Sequence, residues 1–189
     1  PLAVILHPHP EYGGTMNNKV VYHAYHTFLK NGFSVCRFNF RGVGKSEGKF
    51  DNGLGELSDA AAALDFIQRN NSNSNESWVI GFSFGALISM QLLMRRPEIF
   101  RFISISPQPN IFDFNFLAPC PTSGLVVHGD QDQLVPNDTM LILKEKLVSQ
   151  KNITVDFTLI KGANHFFTNK EQDLVESINS YIKKESRLF

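Results

Sequence analysis

Along this chain, short apolar runs alternate with longer stretches in which apolar residues recur every three or four positions. That alternation is the tightest constraint on what the chain can fold into. A short apolar run bounded by turn formers reads as a strand buried on both faces, and a 3.6-residue period reads as a helix with one buried stripe. Strands joined by helical crossovers lie parallel, because a right-handed crossover returns the chain to the same end of the sheet. Strands are predicted at Leu2 to His7, Phe33 to Phe38, Ser77 to Gly81, Phe102 to Ile105, Gly124 to His128 and Thr154 to Ile160. Between and after them, helices are predicted from about Asn17 to Lys30, Leu54 to Arg69, Ala86 to Arg95, Asn137 to Gln150 and Lys170 to Lys184. The expected architecture is α/β, a mostly parallel sheet with helices on both faces, forming one domain over residues 1–189. Ligands of such sheets sit outside the carboxyl ends of the strands, so chemistry is to be sought in the loops that follow them.

Composition narrows the function classes. Lysine plus arginine and aspartate plus glutamate number 18 each, so no overall field draws the chain to nucleic acid or to an anionic membrane, and a small-molecule substrate is expected. No apolar run approaches the roughly 18 residues that would span a bilayer. Cys36 and Cys120 are too few for a disulfide framework and sit in or beside apolar stretches, which reads as buried thiols and a cytoplasmic setting. No histidine or cysteine cluster has metal-ligand spacing, so neither a metal nor a cofactor is expected. Pro1 leads straight into the apolar run LAVILH, and residues upstream of it are therefore expected.

The strongest local signal is Gly81-Phe82-Ser83-Phe84-Gly85, which follows the strand residues Trp78-Val79-Ile80 and opens a helix. A serine on a sharp strand-to-helix turn needs small flanking residues, because backbones approach closely there, and its hydroxyl is then held above the sheet edge. At the start of the helix the N–H of Phe84 has no intrahelical partner and favours negative charge, which is half of an oxyanion hole. A serine nucleophile also needs an imidazole to take its proton and a carboxylate to orient that imidazole. After the strand Leu125-Val126-Val127-His128 come two carboxylates, Asp130 and Asp132. His165, in Gly162-Ala163-Asn164-His165, follows the last strand, whereas His7, His9, His23, His26 and His128 all precede both carboxylates.

With these residues in place the chain resembles the α/β-hydrolase superfamily over nearly its whole length. The segments HPHPEYGGTMNNKVV, RFNFRGVGKSEG and GFSFGA are similar to a cap-less bacterial branch related to dienelactone hydrolases and small acyl esterases. The resemblance implies the chain order serine, acid, histidine, and thus a Ser83, Asp132 and His165 triad. Gly129, Asp132 and the pair Val135-Pro136 match the family's acid loop, which leaves Asp130 to brace that loop through backbone hydrogen bonds. It implies a second oxyanion donor in the loop after the first strand. There Pro8 and Pro10 have no N–H, so the donor is His9 or Glu11, with His9 preferred. Dienelactone hydrolases use a cysteine nucleophile, so lactone specificity is not implied for Ser83. The family fold begins with strands that this chain lacks, which again points to residues upstream.

Gly42-Val43-Gly44-Lys45-Ser46 looks like the tail of a phosphate-binding loop, but that motif requires glycine where Asn39 stands, and the segment matches a structural R-G-x-G-x-S loop instead, with Arg41 of unassigned partner. The connection after Ile105 is too short for a substantial cap, so an open site is expected. Within that connection Phe112, Phe114 and Phe116 are candidates for an apolar wall that contacts an acyl group, with plain core packing as the other reading. Together these expectations describe a serine hydrolase acting on a small carboxylic ester through an acyl-enzyme. A serine peptidase on the same fold and a non-catalytic binding or scaffold descendant are the alternatives.

Overall fold

A computed structural model describes residues 1–186. Its sheet contains β1 (Leu2–Leu6), β2 (Ser34–Arg37), β3 (Ser77–Phe82), β4 (Ile99–Ile105), β5 (Gly124–Gly129) and β6 (Val155–Ile160). All neighbouring pairs are parallel, in the order β2-β1-β3-β4-β5-β6. The chain first steps from β1 outward to β2, then returns to the other side of β1 and proceeds outward through β6. The order thus reverses between β1 and β3, and their carboxyl ends border the crevice where this class of sheet binds ligands.

Alternation along the strands divides the core into two layers. Ala3, Ile5, Trp78, Ile80 and Phe82 face α1 (Lys19–Lys30) and α5 (Glu171–Glu185). Val4, Leu6, Val79 and Val126 face α2 (Leu54–Arg69), α3 (Phe84–Leu93) and α4 (Asn137–Val148). α1 begins where the Asn18 side chain accepts the N–H of Val20 at 2.9 Å, and it buries Val20, Val21, Ala24 and Phe28. α2 begins where the Glu56 carboxylate accepts the N–H groups of Asp51 and Gly53. α3 is apolar on nearly every side and lies buried over the middle of the sheet, contacting β1, β3 and β4. A helix without a polar face is the expected occupant of such a place.

The elements match the expected α/β class, with shifted boundaries. β4 starts at Ile99 instead of Phe102, because Arg101 is accommodated by stacking 4.0 Å over the Phe100 ring and pairing with Glu185 at 2.9 Å. α3 starts immediately after Ser83 and so includes Gly85, a residue that local propensity places in a turn. β2 is reduced to Ser34–Arg37. Short 3-10 turns at Pro10–Tyr12 and Asn115–Leu117 add detail that apolar periodicity does not carry. The connection between β4 and β5 contains only the second of these turns, so among the described residues no cap covers the carboxyl ends of the strands. Among the described residues no helix is long and apolar enough to cross a membrane.

Candidate active site

Ser83 stands between the end of β3 and the first residue of α3 with φ +57° and ψ −114°, a conformation that L-residues rarely adopt. Its N–H donates to the Ile105 carbonyl at 2.9 Å and its own carbonyl accepts from Ala86 at 3.0 Å, so neighbouring elements hold the strained turn. The flanking glycines are dictated by contact. A Cβ on Gly81 would lie 2.1 Å from the Gly85 carbonyl oxygen, and one on Gly85 would lie 2.3 Å from that of Leu6. The turn is therefore pressed against the end of β1 with no room for a side chain at either position.

Two loops converge on the serine. The His165 Nε2 atom is 2.9 Å from Ser83 Oγ, and His165 Nδ1 is 2.7 Å from Asp132 Oδ2. The other carboxylate oxygen of Asp132 accepts the N–H groups of Leu134 and Val135 at 2.8 and 3.0 Å. Burial opposes the charge on Asp132, but the hydrogen bond and positive character of His165 together with the backbone donor of Leu134 prevail and hold its pKa below the ordinary 3.8. The carboxylate is thus ionised at neutral pH, Nδ1 carries the ring hydrogen and donates it, and Nε2 is left as the acceptor facing Ser83. The imidazole is buried, with its ring against Phe82 at 5.5 Å and Phe166 at 5.1 Å. Asp130 does not join this chain; its carboxylate accepts the Gly162 N–H at 2.6 Å and ties the Asp132 loop to the His165 loop.

Phe84 follows the serine directly, and His9 lies in the loop after β1. Among the described residues, the N–H groups of Phe84 and His9 have no hydrogen-bond acceptor, whereas the N–H of Glu11 donates to His9 Nδ1 at 3.1 Å. The His9 ring lies 4.9 Å from that of Phe84. The loop is fixed by His7, whose Nε2 accepts the Phe40 N–H at 3.0 Å and whose Nδ1 lies 2.7 Å from the Pro8 carbonyl. Nε2 must be bare to accept, so Nδ1 carries the hydrogen and donates; burial lowers the His7 pKa to about 4 and keeps the ring neutral.

The remaining candidates separate. The Phe112 ring stands 6.2 Å from Phe84 and so borders the serine turn. Phe114 is 4 % exposed and stacks on Phe116 at 5.9 Å, and both pack in the core layer that also holds Phe84. The glycine-rich segment after β2 is a turn closed by Arg41 on Asp59 at 2.8 Å, and it borders the site through Phe40 and Phe50, whose rings contact Phe84. Burial raises the pKa of both Cys36 and Cys120, which keeps them as thiols. His128 brings Nδ1 to 3.8 Å from Asp132, too far for a hydrogen bond, and burial lowers its pKa. Gln108 was not anticipated. Its buried side-chain amide lies 3.1 Å from Ser83 Oγ, and the only trace of it in the sequence is a pair of prolines, Pro107 and Pro109, bracketing a polar residue just past a strand.

The parallel sheet, the strained serine after β3 and the lack of a cap define a lidless α/β serine hydrolase. The chain belongs to the Hydrolase_4 family, described as serine aminopeptidase S33, whose model matches residues 4–123, a span that includes Ser83 and stops short of Asp132 and His165. It is 52 % identical to the uncharacterised protein RP471 of Rickettsia prowazekii (strain Madrid E), over 96 % of this chain and 78 % of that protein. Among solved structures it is similar to ATU1826 of Agrobacterium tumefaciens, a protein of unknown function, with 54 % identity, a TM-score of 0.94 and coverage of 97 % and 84 % of the two chains. An α/β serine hydrolase homologue from Coxiella burnetii is 36 % identical with a TM-score of 0.84, covering 96 % and 84 %. The lidless serine hydrolase XC6422 of Xanthomonas campestris is 33 % identical with a TM-score of 0.87, covering 97 % and 81 %.

Proposed function

We propose that this chain hydrolyses a small carboxylic ester or related acyl substrate through an acyl-enzyme on Ser83, with Asp132, His165 and Ser83 as its catalytic triad. The observation that carries the reading is the continuous chain from the Asp132 carboxylate through His165 to Ser83 Oγ, at 2.7 and 2.9 Å. As Oγ attacks the carbonyl carbon, its proton passes to His165 Nε2 and the carbonyl π pair moves to oxygen. The N–H groups of Phe84 and His9 receive that oxyanion. The imidazolium, stabilised by Asp132, then protonates the leaving group, and the same sequence run with water releases the acid. Phe112, beside Phe84, contributes an apolar surface for the acyl part.

A fluorophosphonate probe, which phosphonylates an activated serine, should label the wild-type chain and leave Ser83→Ala unlabelled. Labelling of Ser83→Ala at the wild-type level would overturn the assignment. The serine aminopeptidase description of the matching family favours a second reading, cleavage of an amino-terminal peptide bond by the same triad. A panel of short-chain esters run beside aminopeptidase substrates decides between the two, with faster turnover of the esters expected.

A further inference from the structure

Gln108 lies where the nucleophile and base loops are tied together. Ser106, with φ +46°, donates its N–H to Val127 at 2.9 Å and its hydroxyl to the His165 carbonyl at 3.1 Å. Pro107 and Pro109 then restrict the backbone on both sides of Gln108, whose carbonyl accepts the N–H groups of Ile111 and Phe112 at 3.1 and 3.0 Å. So anchored, the buried side chain brings Oε1 to 3.1 Å from Ser83 Oγ.

Ser83 has one hydroxyl hydrogen, and two groups can accept it, Gln108 Oε1 and His165 Nε2. When His165 is protonated, Nε2–H donates to Oγ and the hydroxyl donates to Gln108, so every group is paired. When His165 is neutral and takes the serine's hydrogen, a glutamine oxygen would face the lone pairs of Oγ. A half-turn of the terminal amide replaces that oxygen with NH₂, a donor aimed at the oxygen on which negative charge builds as its proton leaves for Nε2. Glutamine supplies both faces from one position; a carboxylate supplies only an acceptor and a thioether neither at comparable strength.

Resting on the reading of Ser83 as nucleophile, we propose that Gln108 is a positioning residue for it. Its amide accepts from the hydroxyl while the imidazole is protonated and turns to donate to Oγ as that oxygen is activated. Among the described residues the titratable groups facing His165 are Asp132 and, 3.8 Å beyond it, His128; the other ring neighbours, Phe82 and Phe166, carry no charge.

The test uses the full chain and measures the second-order rate of fluorophosphonate labelling against pH. Gln108→Met keeps the length and removes the donor, and should slow labelling by roughly ten- to a hundredfold, the range for a lost hydrogen bond to a charged group. Gln108→Glu should slow it at least as much and move the acid limb of the profile to higher pH, because a carboxylate retains the serine's hydrogen and favours the imidazolium. Wild-type rates in either variant, or an unmoved profile in Gln108→Glu, overturn the proposal. Should Gln108→Glu fail to fold, ester turnover by Gln108→Met decides: a fall in kcat with KM unchanged supports it, and a rise in KM with kcat kept overturns it. A wild-type chain that is not labelled overturns the nucleophile reading and this proposal with it, whereas a labelled wild type with unaffected variants overturns this proposal alone.

Discussion

His7 shows how much of the site depends on a side chain that takes no part in the chemistry. It is wholly buried, accepts from Phe40 and holds the Pro8 carbonyl, so it sets the loop that presents the His9 N–H. Its pKa is lowered from 6.5 to about 4 by burial, which means that folding favours the neutral ring. Between those values the unfolded chain binds the proton more readily, so the His7 contribution is complete above pH 6.5 and is lost as pH falls toward 4. A shift of this size corresponds to about 3 kcal/mol. His7→Phe should lower the urea midpoint at pH 7, because the Phe40 N–H loses its acceptor, and should flatten the fall in stability between pH 6.5 and 4 in urea titrations across that range. His128 and His9, whose pKa values burial also lowers, retain part of the slope.

At the scale of elements, the serine turn is an agreement between β1, β3 and α3. Gly85 is the point at which they meet, and Gly85→Ala sets a methyl group against the carbonyl oxygens of Leu6 and His7. Overpacking of this kind costs about 1–3 kcal/mol, and here the displaced backbone also carries the His9 loop, so slower fluorophosphonate labelling should accompany the lower melting temperature. The same position explains what could be read from the sequence. The stretches of α1 and α2 and the serine turn are written in local patterns, namely apolar periods and glycines beside a serine, whereas Asp132 is set apart from Asp130 only by the family resemblance. The start of α3 is not so written, because Gly85 belongs to a helix for the sake of the strand pressed on it. Gln108 is invisible for a similar reason: nothing local tells that a glutamine past β4 will meet a serine past β3. For Phe114 and Phe116, alternation of apolar and polar residues registers burial but not whether a ring faces substrate or core.

Across the molecule, Ser83, Asp132 and His165 come from the carboxyl ends of β3, β5 and β6, and the nucleophile stands beside the reversal in strand order. The sheet therefore supplies the geometry, and the connections are free to differ. Here the β4–β5 connection stays short, and among the described residues it folds no helix of its own over Ser83 and His165. An acyl group on Ser83 would then be open to any nucleophile small enough to approach, not to water alone. Added methanol should compete for it: product analysis during ester turnover should find the methyl ester of the acyl group, rising with methanol concentration, at the expense of free acid. A strict yield of acid would mean that the uncovered crevice still selects water. Formation of the methyl ester would mean that the proposed acyl-enzyme divides its acyl group between water and alcohol according to the solvent around it.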